Sequence, residues 1–192
     1  MLIAAYIVLG ISFGISGMLL FYRCSEVLSV RLSHGLAATF FVATLQTILF
    51  LIGMTLGNLL RIELPDNPDA FRQSNALIML GLTIFVVLHQ LLPYLRREPH
   101  LPLFNIRAWL SVMAIAVATG INHFIVGLGI GFIASPATEL HKALWPMLIL
   151  MFLLSYWGVM LGRQKVQLRP RRWMMVASIL LLGVAIAAVV NA

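Results

Sequence analysis

Residues 117–131 read VATGINHFIVGLGIG. Asn122 and His123 stand side by side there among four glycines, inside an apolar run from Ala108 to Ala134. Five more such runs flank it, at about 2–22, 35–60, 75–95, 143–162 and 173–191. About 20 apolar residues in helical form cross a bilayer's hydrocarbon core. Lipid offers the backbone no hydrogen-bond partner, so each run is expected to be a helix. The 35–60 and 108–134 runs exceed that length and leave room for tilt, a kink or an unwound turn.

Composition agrees. Of 192 residues, 61% are hydrophobic and 10% charged, and the mean hydropathy is +1.01. Soluble domains carry about 25% charged residues, so this chain cannot cover a water-facing surface. One cysteine, Cys24, excludes an intramolecular disulfide framework and a cysteine-rich metal site. The formal charge of +7 does not point to nucleic acid, because the basic residues sit in short connections between runs. Ten of the thirteen lie in the 1–2, 3–4 and 5–6 connections: Arg23, Arg31, Arg96, Arg97, Arg107, Arg163, Lys165, Arg169, Arg171 and Arg172. Arg61, Arg72 and Lys142 are on the other side. The positive-inside rule therefore predicts cytoplasmic odd connections in a cell (inner) membrane, with both termini outside. No cleavable signal is expected, since the first run lacks a basic leader and is long enough to span.

Trp109, Trp145 and Trp173 stand at the starts of runs, where an indole suits the interface. Trp157 lies deeper and is expected to pack. Pro146 is expected in the first turn of run five and Pro93 at the close of run three, with 61–74 a polar loop.

The two halves echo each other. Gly53/Gly57 and Gly158/Gly162 end runs two and five as Gly-x-x-x-Gly pairs, Gly10/Gly14 and Gly127/Gly131 fall in runs one and four, and Gly81 and Gly183 stand singly in runs three and six. Close helix packing alone explains any one pair. The matched placement predicts two copies of a three-helix unit, residues 1–95 and 108–192, joined by a connection at 96–107. Three spans being odd, the second copy is inverted, an arrangement typical of secondary transporters. The fold class is thus an all-α integral membrane protein of six transmembrane helices.

All carboxylates lie in connections or at helix ends: Glu26, Glu63, Asp66, Asp69, Glu98 and Glu139. The polar set expected to be buried within the membrane is neutral: Ser12, Ser16, Thr39, Thr44, Gln46, Thr47, Thr55, Thr83, His89, Thr119, Asn122, His123 and Ser155. Hydroxyls can return to a helix carbonyl. An unpartnered amide in hydrocarbon costs several kcal/mol, so Gln46 and Asn122 must face another helix or a wet cavity. Thr119 is one turn from Asn122, and Ser16 is a candidate across the bundle. His123 is either helix glue or a ligand; His34 and His89 are expected at interfaces. No nucleophile–base set suggests an enzyme.

Several stretches carry a family resemblance: VLGISFG (Val8–Gly14), ATLQTILFLIGMTLG (Ala43–Gly57), VATGINHFIVGLGIGF (Val117–Phe132) and LLSYWGVMLGR (Leu153–Arg163). The chain resembles the MntP-type manganese exporters of the LysE transporter superfamily. The resemblance implies a six-helix transporter with a duplicated unit, manganese as cargo and no resident cofactor. It also implies an acidic Ser-x-Asp motif early in helices 1 and 4 and a Glu in helix 2. Here those positions read Ser12-Phe13-Gly14, Gly120-Ile121-Asn122 and Gln46, so Gly14, Asn122 and Gln46 stand where acids are implied. The implied substrate site is Asn122, His123, Gln46, Ser12, Gly14, Thr119 and Ser16, with Asn122, Gln46 and His123 as metal ligands. A carboxylate about 4 Å from a divalent ion supplies about 8 kcal/mol at an effective dielectric of 20, and amides forgo it. Three functions stay open: cation export through a diverged site, transport of a neutral or zwitterionic solute, or a transport-inactive member that binds another membrane protein. The expected partners are membrane lipid, a small ion or solute, and further copies of the chain.

Overall fold

The structure, a computed structural model, describes residues 3–27, 30–61, 68–95, 104–134 and 136–190. Six α-helices follow in order: α1 (Ile3–Val27), α2 (Leu32–Leu59), α3 (Pro68–Leu95), α4 (Trp109–Gly131), α5 (Pro136–Arg163) and α6 (Pro170–Val190). No strand occurs among the described residues. Each helix is long and apolar enough to cross a bilayer. Apolar side chains cover the outside as well as the core: Leu110 is 81% exposed and Ile179 66%. Water would penalise such a surface, whereas acyl chains solvate it.

The helices run past the apolar segments at several ends. α3 opens at Pro68 and α5 at Pro136, so part of the expected 61–74 loop is helical. Proline fits an opening turn because its missing N–H would have no partner there. Pro136 takes that position in α5, and Pro146 and Pro93 lie inside their helices. α2 and α4 are unbroken helices with no unwound turn. Trp157 does not pack inside: it is 52% exposed on the outer face of α5, like Trp109 and Trp145 on theirs.

Two helix pairs form the tightest contacts, α1 with α5 and α2 with α4. α2 also meets α5, α3 meets α6, α1 meets α6 and α4 meets α3. Exchanging α1 with α4, α2 with α5 and α3 with α6 maps this set onto itself.

Glycines make the tight pairs possible. A Cβ on Gly53 or Gly57 would overlap the carbonyl oxygens of Phe124 or Leu128 on α4. A Cβ on Gly127 or Gly131 would overlap those of Phe50 or Met54 on α2, so this pair is notched from both sides. In the other pair, Gly158 and Gly162 of α5 sit on the carbonyls of Met18 and Tyr22 of α1. Met18 and Tyr22 therefore stand where Phe124 and Leu128 stand.

This register differs from the sequence match of Gly10/Gly14 with Gly127/Gly131. The counterpart of Gly14 is Gly120. Gly14 sits over Leu154 and Gly120 over Leu49, and each leucine precedes the first glycine of its helix pair by four residues. Carrying the register two residues on equates Ser16 with Asn122.

Replacing Gly57 or Gly158 by leucine forces backbone apart and should destabilise by about 1–3 kcal/mol, the usual cost of overpacking. Gly81→Ala, where an added Cβ meets nothing within 4 Å, should be neutral or stabilising by up to about 1 kcal/mol. Denaturation in detergent micelles, followed by circular dichroism, measures both.

Candidate functional site

Three of the expected polar residues, Gln46, Thr119 and His123, come together on the α2–α4 pair. Gln46 is 3% exposed, and its Nε2 donates to Thr119 Oγ1 at 2.6 Å across the two helices. Thr119 Oγ1 donates in turn to Ile115 O of its own helix at 2.7 Å. Gly120 leaves room for this approach, since its Cβ position lies 3.9 Å from Gln46 Cγ and against Leu49.

One turn along α4, His123 is 2% exposed. Its Nδ1 lies 3.0 Å from Thr119 O. A carbonyl only accepts, so Nδ1 carries the proton, and in the neutral ring Nε2 presents a lone pair. Nε2 is buried and has no hydrogen-bond partner among the described residues. Phe13 of α1 lies against the imidazole, with ring centroids 4.0 Å apart. Asn122 is half-buried beside it.

The other expected residues divide. Ser12 Oγ donates to Ala177 O on α6 at 2.8 Å. Ser16 Oγ lies 3.5 Å from Gln90 Oε1 on α3 and 3.8 Å from Met174 Sδ on α6. Gly14 turns away from both groups towards α5, where its Cβ position is 2.6 Å from Leu154 Cδ1 and 3.0 Å from Leu150 O. The structure thus joins Gln46, Thr119 and His123 directly, puts Ser12 and Ser16 on an α1–α3–α6 face, and seats Gly14 in a helix contact.

Sequence reasoning missed Phe13 and Gln90. Phe13 carried no polar signal. Gln90 did, as an amide within run three, but it lies close to the run's end. Two members of the neutral polar set are exposed instead, His89 and Thr55. Thr55 satisfies its hydroxyl on Leu51 O at 2.9 Å, and Thr39, Thr47 and Thr83 do likewise on Gly35, Ala43 and Met79.

No group of three His, Cys, Asp or Glu side chains able to hold a metal occurs among the described residues. The donors that could meet a cation are the His123 imidazole, the Gln46 and Asn122 amides and hydroxyls. Such a set suits a borderline ion or a polar neutral molecule better than a hard ion that needs carboxylates.

Six spanning helices around a buried polar cluster define a multi-pass integral membrane protein. The sequence model of the Mntp family, described as "Putative manganese efflux pump", matches residues 29–189. The chain belongs to that family, a family of membrane transporters rather than enzymes. The match begins after α1, so Ser12, Phe13, Gly14 and Ser16 lie outside it. No curated protein and no solved structure matches the chain.

The register separates two substitutions in α1. Gly14→Asn drives a side chain into Leu154 and the Leu150 carbonyl and should cost about 1–3 kcal/mol. Ser16→Asn places in α1 the side chain that Asn122 has in α4 and should cost under about 1 kcal/mol. Thr119→Val removes the acceptor of Gln46 and should cost about 1–3 kcal/mol through the stranded buried amide. Thermal unfolding in detergent ranks all three.

Proposed function

We propose that the chain exports a divalent cation of the manganese type through a carboxylate-free site centred on Gln46, Thr119, Asn122 and His123. The cation path runs between two inverted three-helix units, residues 1–95 and 108–192, linked at 96–107. The protein lies in the cell (inner) membrane with connections 1–2, 3–4 and 5–6 cytoplasmic and both termini outside. Family membership supports the transport class. The contact set that survives exchange of the two units supports the repeat, and an odd number of spans per unit requires its inversion. The distribution of basic residues supports the orientation.

The observation that carries the site is His123 Nε2, a buried lone pair on α4 one turn beyond the Gln46–Thr119 hydrogen bond, on a ring that packs against Phe13 of α1. Imidazole nitrogen binds borderline divalent ions, and amide and hydroxyl oxygens complete a weak shell. Polar groups in a span almost always face a path or a partner. Weak binding is compatible with transport, which requires release as well as capture. Ser16, as the counterpart of Asn122, is the α1 residue assigned to this path in place of Gly14.

A second reading, a neutral or zwitterionic solute, is favoured by the lack of any three-ligand group among the described residues. Amides and imidazole donate and accept hydrogen bonds without fixing a charge.

Proteoliposomes loaded with a manganese-sensitive dye separate the two. The wild type should move Mn²⁺, and His123→Ala or Gln46→Ala should lower the rate at least about tenfold, equivalent to about 1.4 kcal/mol or more. The combined Ser16→Asp, Gln46→Glu, Asn122→Asp variant should bind Mn²⁺ more tightly. Flux in that variant but none in the wild type would favour the solute reading.

A further inference from the structure

A cavity of about 980 Å³ opens at the end of the bundle that carries the α2–α3 and α4–α5 connections. That is the upper end of the range for ligand pockets, about 300–1,000 Å³. Apart from Asn75 of α3 and two arginines its walls are apolar, among them Ala5 and Val8 of α1, Phe132 after α4, and Gly183 and Ala187 of α6. A Cβ on Gly183 would meet nothing within 4 Å. Ile179, also in the wall, is 66% exposed, so the cavity opens sideways towards the acyl chains.

Its polar end is basic. Arg61 and Arg72 line it, two of the three basic residues at this end of the molecule. The Arg61 guanidinium lies over the Phe71 ring at 4.8 Å, and stacking of this kind fixes its orientation. Its Nε is buried and has no hydrogen-bond partner among the described residues. Arg72 follows Phe71 on α3 and is exposed. A divalent cation is a poor occupant of a pocket with two guanidinium groups and apolar walls.

We propose that this cavity binds an anionic phospholipid, with one acyl chain between α1 and α6 and the headgroup phosphate on Arg61 and Arg72. The charge complements the end of the cavity, and the apolar walls and lateral opening complement the chain. Guanidinium forks match phosphate oxygens in geometry as well as charge. The site is separate from the Gln46–His123 cluster and does not depend on which cargo is carried.

The test compares phosphatidylglycerol with phosphatidylcholine of identical chains, added to the purified protein in mild detergent. Bound lipid is read by native mass spectrometry and stability by thermal unfolding. At about a hundredfold above Kd, phosphatidylglycerol should raise Tm by about 5–10 °C more than phosphatidylcholine. Arg61→Gln and Arg72→Gln should each reduce that difference and together abolish it. Gly183→Leu adds bulk to the cavity wall at a position where a Cβ meets nothing within 4 Å, and should remove the bound lipid with both arginines intact. Arg72 is exposed, so Arg72→Gln remains informative if Arg61→Gln fails to fold. Equal stabilisation by the two lipids, or an adduct that survives Gly183→Leu, overturns the proposal. A full shift with soluble glycerol 3-phosphate alone also overturns it, because the acyl chain would then contribute nothing.

Discussion

Backbone meets backbone where glycines of one helix rest on the carbonyls of another, and this contact holds the bundle together. Lipid is as apolar as leucine, so burying apolar surface between helices brings little gain. Close approach provides association instead, through dispersion contacts that a single intervening methyl group would remove. Gly53, Gly57, Gly127 and Gly131 do this for α2 and α4, and Gly158 and Gly162 for α5 against α1. Each tight pair takes one helix from residues 1–95 and one from 108–192, so the two segments are interlocked rather than set side by side.

The polar cluster follows from that packing. The α2–α4 contact brings Gln46 to Thr119, and the same turn of α4 carries His123 against Phe13 of α1. A buried amide and imidazole are tolerable because each hydrogen-bonds to a neighbour. The family match covers residues 29–189 and leaves α1 out. The place of α1 beside the cluster therefore rests on the Phe13–His123 contact, while the glycine register makes Ser16 the equivalent of Asn122 and gives Gly14 to the α5 contact. An acid at Gly14 would have to displace Leu154 and the Leu150 carbonyl.

The number of spans, their approximate limits and the candidate amides were legible in the sequence. The bilayer's thickness sets a minimum apolar length, and the cost of an unpartnered amide in lipid singles out Gln46 and Asn122. Threonine hydroxyls bonding back to their own helix were equally legible, because that partner is always within reach. Helix ends were less so: α3 and α5 begin in polar stretches, where the helix no longer needs apolar side chains. The turns through Pro68 and Pro136 left no hydropathy signal.

Tertiary structure alone decided which way each helix faces. In water, a helix reveals its buried side by an apolar stripe. Here the outer solvent and the core are both apolar, so nothing in hydropathy distinguishes exposed Trp157 from buried Met151. The same degeneracy hid Phe13 as the neighbour of His123 and Gly14 as a packing residue. The sequence by itself determined that the chain crosses a membrane and which polar groups need partners. Which partners they find was decided by the depth to which one helix sinks into another, and only the positions of the glycines against opposing carbonyls record that depth.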